Sequence, residues 1–178
     1  MECKSQMITY RRLKLYEKGR FAEVDRSERI TEAYRQKGRD LETDDVDWVV
    51  PRWSLQEILK EWDAFLKEGC LLWGAFDGDL LVGFCGFRPN IAPDTGQFTL
   101  LHVSKGYRRR GIGRQLAEMV IDHVREQKIP GLYVTATPTR GTVDFYRSLG
   151  FRPTDKPLPK LLEMEPDDIH MRMEFQSA

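Results

Sequence analysis

The chain has 178 residues, enough for one domain with a substantial core, and its 40% hydrophobic and 31% charged content excludes a disordered or fibrous protein. Lysine plus arginine balance aspartate plus glutamate at 28 each, so no global field draws the protein to nucleic acid or to an anionic membrane. Three cysteines (Cys3, Cys70 and Cys85) form no CxxC pair, and no apolar run is long enough for a signal peptide or a membrane span. A soluble, cytoplasmic, single-domain protein without a metal site is expected.

In chain order, MITYRRLK (7–14) reads as a first strand, and the polar stretch from Tyr16 to about Glu28, with Phe21 and Val24 as a thin apolar face, as a first helix. Residues 30–50, with a KGRD turn, read as two irregular extended arms. Ser54 and Glu57 form a capping box, and Leu55, Ile58, Leu59, Trp62, Phe65 and Leu66 follow at helical spacing until Gly69. CLLWGAF and LLVGFCGF, joined by Asp77-Gly78-Asp79, read as a β-hairpin. GQFTLLHVS (96–104) is a strand, and a helix bearing Ile112, Leu116, Met119, Val120, His123 and Val124 on one face runs to about Lys128. LYVTAT (132–137) is a strand, TVDFYRSLG a short helix closed by Gly150, and IHMRMEF a last strand after a loop rich in proline and acids. This order describes an α/β domain with a mixed sheet.

The stretch YRRRGIGRQL (107–116) concentrates charge at a helix entrance. The first turn of a helix leaves backbone N–H groups unpaired at the positive end of the helix dipole. Glycines at 111 and 113 let an anion approach without meeting a Cβ, and Arg108, Arg109, Arg110 and Arg114 add positive charge, so the stretch describes a pyrophosphate cradle. It is neither a Walker A loop, which needs GxxxxGK[ST], nor a dinucleotide fingerprint, because Leu116 stands where the third glycine would be.

LHVSKGYRRRGIGRQL, followed about 35 residues later by TPTRGTVDFYRSLGF, resembles the two coenzyme A motifs of the GCN5-related N-acetyltransferase (GNAT) family, clearly over about 70–152. The resemblance implies a GNAT-like α/β fold: a mixed, mostly antiparallel central sheet with helices on both faces and strands splayed at 98–104 and 132–137. It implies one N-acetyltransferase domain over 1–178 with an ordered core of 7–176, an acceptor-side segment at about 15–68 and an acetyl-CoA-binding part at about 70–152. Acetyl-CoA is the implied cosubstrate, with pantetheine against the backbone of Leu101, His102 and Val103 and pyrophosphate on Arg108, Arg109, Arg110, Gly111, Ile112, Gly113 and Arg114. Tyr146 matches the tyrosine that protonates the departing thiolate, while Thr139 stands where the family often has asparagine and Lys105 where it has proline.

Thr99 and Leu100 occupy the places where some members carry an acidic residue, so no general base transfers. Glu23, Asp25, Glu28 and His102 are the alternatives, although the three acids read more readily as a solvated acidic face and His102 as a structural histidine. Phe145 and Tyr146 diverge by about 100° on a helix, and Phe145 is expected to take the core. Trp48, Trp53 and Trp73 line a pocket or fill the core. The implied partners are acetyl-CoA and a primary amine on a small molecule or peptide, with homodimerisation left open. The rival is a non-catalytic acyl-CoA binding or sensing module.

Overall fold

The computed structural model describes residues 7–66 and 69–175, and Cys3 and the side chains of Trp62 and Phe65 lie outside the described residues. Seven strands form one mostly antiparallel sheet in the order β1-β4-β5-β6-β7-β9-β8, and β2 and β3 form a separate two-stranded ribbon. Their ranges are β1 Thr9–Leu13, β2 Glu28–Lys37, β3 Asp40–Val50, β4 Leu71–Asp77, β5 Leu80–Ala92, β6 Thr95–Val103, β7 Gly131–Ala136, β8 Arg152–Pro153 and β9 Ile169–Glu174. The helices are α1 Leu55–Leu66, α2 Ile112–Glu126, α3 Arg140–Leu149 and α4 Pro159–Met164. No helix among the described residues is long and apolar enough to cross a membrane.

Contacts divide the chain into two compact units, the first Met1–Glu28, Pro51–Arg88 and Leu100–Asp122, the second Arg29–Val50, Pro89–Thr99 and His123–Ala178. In the first unit β4 pairs antiparallel with β1 and β5, with a bulge between Ala75 and Phe76. Phe21 and Phe84 stack at 4.1 Å in a core shared with Leu13, Val24, Ile58, Leu72 and Leu81. The Ser54–Glu57 capping box forms as expected: Ser54 N donates to the Glu57 carboxylate at 2.6 Å, and Glu57 N donates to Ser54 Oγ at 3.2 Å. Gly83 permits a close approach, because a Cβ there would lie 3.1 Å from the carbonyl oxygen of His102 and 3.3 Å from Leu116.

Two local expectations are corrected. The helix expected at 16–28 is a 3-10 helix over Leu15–Glu23, buried through Phe21 alone; one apolar anchor is too little to stabilise an α-helical face. The loop expected after Phe151 contains β8 and α4, the latter with proline in its first turn, where the absent N–H costs no helical bond.

In the second unit the extended arms at 30–50 are the β2–β3 ribbon, turning through Gly38 at φ 63°. β7 pairs parallel with β6 from Thr95–Gly131 to Gln97–Tyr133, and antiparallel with β9 along its whole length. The β6 pairing stops there, although β6 runs on to Val103 and β7 to Ala136. Leu132, Val134, Ala136, Val143, Phe151, Ile169 and Met171 are buried.

His102, in the first unit, packs edge-on against Trp53 at 4.5 Å and beside Phe84 at 5.5 Å. Burial, and then the nearby Arg26 and Arg108 charges, push its pKa down to about 3. The unfolded chain therefore takes up this proton first. The contribution of neutral His102 to stability is complete above the ordinary value of 6.5 and is lost as pH falls from there towards 3. Imidazole NMR should show His102 still neutral at pH 5; a midpoint near 6.5 would mean the ring is solvated.

Candidate active site

The turn between β6 and α2 is fastened within the first unit before the arginines begin. Ser104 N donates to Val82 O at 2.8 Å, Lys105 N donates to Asp25 O at 2.8 Å, and Ser104 Oγ accepts from Asp25 N at 2.9 Å. The Tyr107 hydroxyl donates to Asp77 at 2.7 Å, a bond that raises the phenol's pKa. The backbone then enters the left-handed region at Arg109 (φ 64°) and Gly111 (φ 81°). A Cβ at Gly111 would meet nothing within 4 Å, so glycine is needed there for its conformation and not for space.

The Gln115 N–H donates to Gly111 O at 3.0 Å. The amides before it have no acceptor within the helix, and no acidic residue stands in the first turn to neutralise its positive end. Amides with no acceptor inside the helix, a positive helix end and glycines at 111 and 113 fit a polyanion such as a pyrophosphate.

The four arginines do not share one role. Arg108 is turned onto the protein: its Nε donates to Val103 O at 3.1 Å, one terminal nitrogen donates to Arg26 O at 3.0 Å, and the other lies 3.5 Å from Glu28. Arg109, Arg110 and Arg114 are exposed, with Arg110 over the Tyr107 ring at 5.1 Å. The composite cradle read from the sequence thus resolves into one structural guanidinium and three outward ones.

The sequence-derived base candidates of the first unit are already engaged. Glu23 accepts from Arg20 at 2.8 Å and from Leu81 N at 2.7 Å; burial opposes its ionisation, but these bonds prevail and hold its pKa low. Asp25 accepts from Ser27 N at 3.0 Å, a partner that lowers its pKa, and lies 3.8 Å from Arg52. Glu28 faces Arg108, and His102 is neutral but weakly basic.

In the second unit, Tyr146 sits on the buried face of α3 with Val143, packed edge-to-face on Phe98 (5.6 Å) and Phe151 (5.5 Å). The expected roles of the neighbouring rings are reversed: Tyr146 is buried, and Phe145 is only half-buried. The 100° divergence separates two rings but does not say which faces inward; the spacing with Val143 decides it. Thr139 caps α3, its Oγ1 accepting from Thr142 N at 3.2 Å.

The same unit holds a cavity of about 740 Å³ lined by Tyr34, Trp48, Asp155, Asp167, Asp168 and His170, among others. The Tyr34 hydroxyl donates to Asp144 at 2.9 Å, and His170 Nδ1 shares a 2.7 Å hydrogen bond with Tyr133. Burial, and then repulsion from Glu165 and Asp167, push the Asp168 pKa up to about 6. Of the tryptophans, Trp48 lines this cavity, Trp73 is buried, and Trp53 packs on His102. Sequence reading passed over Asp167 and Asp168; the only local signal was a Pro-Asp-Asp run ahead of an apolar strand.

Comparison with known proteins gives the same outline. No curated protein matches the sequence. Among solved structures, a candidate streptothricin acetyltransferase of Bacillus anthracis strain Ames, in complex with acetyl coenzyme A, superposes with a TM-score of 0.73 at 19% identity, over 96% of this chain and 99% of that one. A nourseothricin acetyltransferase gives 0.70 at 18% identity, over 94% of this chain and 98% of that one. The ribosomal-protein-S18-alanine N-acetyltransferase of Escherichia coli gives 0.63 at 18% identity, over 97% and 96%. At these identities the likeness is one of fold. The family model for the acetyltransferase (GNAT) family matches residues 29–151, more than half of the chain. The chain belongs to the acetyltransferase (GNAT) family.

Proposed function

We propose that the protein transfers an acetyl group from acetyl-CoA directly to a primary amine, on a small molecule or peptide, without a covalent enzyme intermediate. The observation that carries this reading is the entrance of α2: first-turn amides with no acceptor inside the helix, no acid in the first turn, and glycines at 111 and 113, in the turn after β6 of a GNAT chain. The acetyl-CoA held by the Bacillus anthracis neighbour supports it. In this reading the first-turn amides of α2, with Arg109, Arg110 and Arg114, bind the pyrophosphate. Arg108 holds the turn in shape, and the backbone of Leu101, His102 and Val103 receives the pantetheine. Thr139 acts by fixing the start of α3.

The amine must be neutral to attack. For a lysine-like amine of pKa about 10.4, deprotonation at pH 7 costs about 4.6 kcal/mol; for an α-amine near 8 it costs about 1.4 kcal/mol. As the C–N bond forms and the C–S bond breaks, the thiolate takes a proton that we assign to Tyr146. On solution values, transfer from a phenol near 10 to a thiolate near 8.5 is uphill by about 2 kcal/mol. A hydrogen bond to the developing charge offsets much of this before the proton moves. The aromatic packing of Tyr146 holds its ring in one orientation, which suits a donor that must meet a departing sulfur.

Three outcomes are expected. Acetyl-CoA at about 100 times its dissociation constant should add about 2.7 kcal/mol of stability, read as a higher melting temperature; a melt unmoved by millimolar acetyl-CoA would sink the reading. Gly113→Val should weaken coenzyme A binding in a protein that still folds, since valine is no worse a helix former than glycine; unchanged affinity would put the phosphates elsewhere. Tyr146→Phe should lower turnover by about 10²-fold with little change in acetyl-CoA affinity. Wild-type turnover in that variant would reduce Tyr146 to packing and favour an acyl-CoA sensor.

A further inference from the structure

Tyr146 stands on a helix of ten residues, too short to hold its geometry alone, and within the second unit that helix is gripped on two sides. On the inner face Tyr146 packs edge-to-face on Phe98 and Phe151. On the outer face Arg140, Asp144 and Arg147 recur at helical spacing as one polar stripe, and β2 of the ribbon reaches it.

The attachment to β2 is directional. Tyr34 N donates to Pro138 O at 2.6 Å, and Ala33 bridges Thr139, the residue that caps α3. Arg140 donates to Glu32 at 2.8 Å, but this pair is solvent-exposed, where ion pairs contribute little. The Tyr34 hydroxyl donates to Asp144 Oδ1 at 2.9 Å in a partly buried place, and a carboxylate acceptor makes the stronger bond. The contacts at 138–139 fix where α3 begins. The Tyr34 bond lies a turn beyond them and off the helix axis, so it opposes rotation about that axis.

Rotation is the freedom that matters for Tyr146. Edge-to-face contacts orient its ring against Phe98 and Phe151, but they do not fix the helix that carries it. Asp144 and Tyr146 lie about 200° apart around α3, so Tyr34 holds the face opposite Tyr146. An atom at the rim of a helix, about 6 Å from its axis, moves by about 1 Å for a rotation of about 10°. A displacement of about 1 Å can cost about 10²-fold in rate.

We propose that Tyr34 is a positioning residue for Tyr146: its hydroxyl, through Asp144, sets the rotation of α3 and with it the place of the Tyr146 hydroxyl. This rests on the acetyltransferase reading in which Tyr146 protonates the departing thiolate. No proton passes through Tyr34.

Tyr34→Phe removes the hydroxyl and keeps the ring and the backbone bond to Pro138. Asp144→Ala removes the same bond from the exposed side, where alanine is the better helix former and the fold should hold. Two controls keep the bond: Asp144→Asn retains an acceptor oxygen, and Arg147→Ala removes only an ion-pair partner of Asp144 at 3.5 Å. With tyrosine labelled at Cζ and Tyr146 assigned by its loss in Tyr146→Phe, coenzyme A should shift the Tyr146 NMR signal of the wild-type protein. Tyr34→Phe and Asp144→Ala should lose most of that shift, and both controls should keep it. Calorimetry should give one coenzyme A affinity for all of them, and circular dichroism verifies folding. Thiol release from acetyl-CoA should fall about tenfold in Tyr34→Phe. In a Tyr146→Phe background the same substitution should lower it no further, whereas a purely structural Tyr34 would lower it in both. A full Tyr146 response in folded Tyr34→Phe and Asp144→Ala, or an additive loss of turnover, overturns the proposal. A wild-type Tyr146 signal that ignores bound coenzyme A refutes instead the donor role of Tyr146 on which the proposal rests.

Discussion

One guanidinium sets the geometry on which the α2 entrance depends. Arg108 reaches back to the carbonyls of Val103, where β6 ends, and of Arg26, just beyond the 3-10 helix, at 3.1 and 3.0 Å. Both acceptors are backbone carbonyls, one on the last residue of β6 and the other in the segment that follows the 3-10 helix. Charge-assisted hydrogen bonds are roughly twice as strong as neutral ones, and a guanidinium offers its donors in a fixed plane. Lysine at this position would keep the charge but not the fork. The bonds of Ser104 and Lys105 to Asp25 repeat the tie on the backbone, so the turn is held from two directions before the left-handed residues Arg109 and Gly111 redirect the chain. A cluster of four arginines would otherwise repel itself; pinning one of them leaves fewer mobile charges to share the helix entrance.

The same economy explains why the first unit makes a poor proton acceptor. Glu23 and Asp25 lie near the fastened turn, and each is used to hold backbone or arginine in place, which lowers its basicity. His102 is neutral because its ring is buried, beside Trp53 and Phe84, and faces the charges of Arg26 and Arg108. A group that stabilises the fold as an anion is stabilised as an anion in turn, and the linkage that makes it structural makes it a weak base.

What the sequence revealed was mostly local. The capping box at Ser54 and the hairpin turn at Asp77-Gly78-Asp79 are each decided within a few positions by backbone hydrogen bonding, whereas the junction at residues 103–113 was legible from its glycines and arginines but not in the distant groups that fasten it. The stretch Leu15–Glu23 was misread because a polar run with one strong apolar anchor has no periodicity to separate α from 3-10 geometry. Tyr146 was singled out by its motif, yet its burial could not be foreseen, since two adjacent aromatic residues compete for one face and tertiary neighbours such as Phe98 decide. The cavity was invisible because Trp48 and Asp168 are far apart in the chain and neither is unusual in its own neighbourhood. Long-range placement, not residue type, makes them a pair.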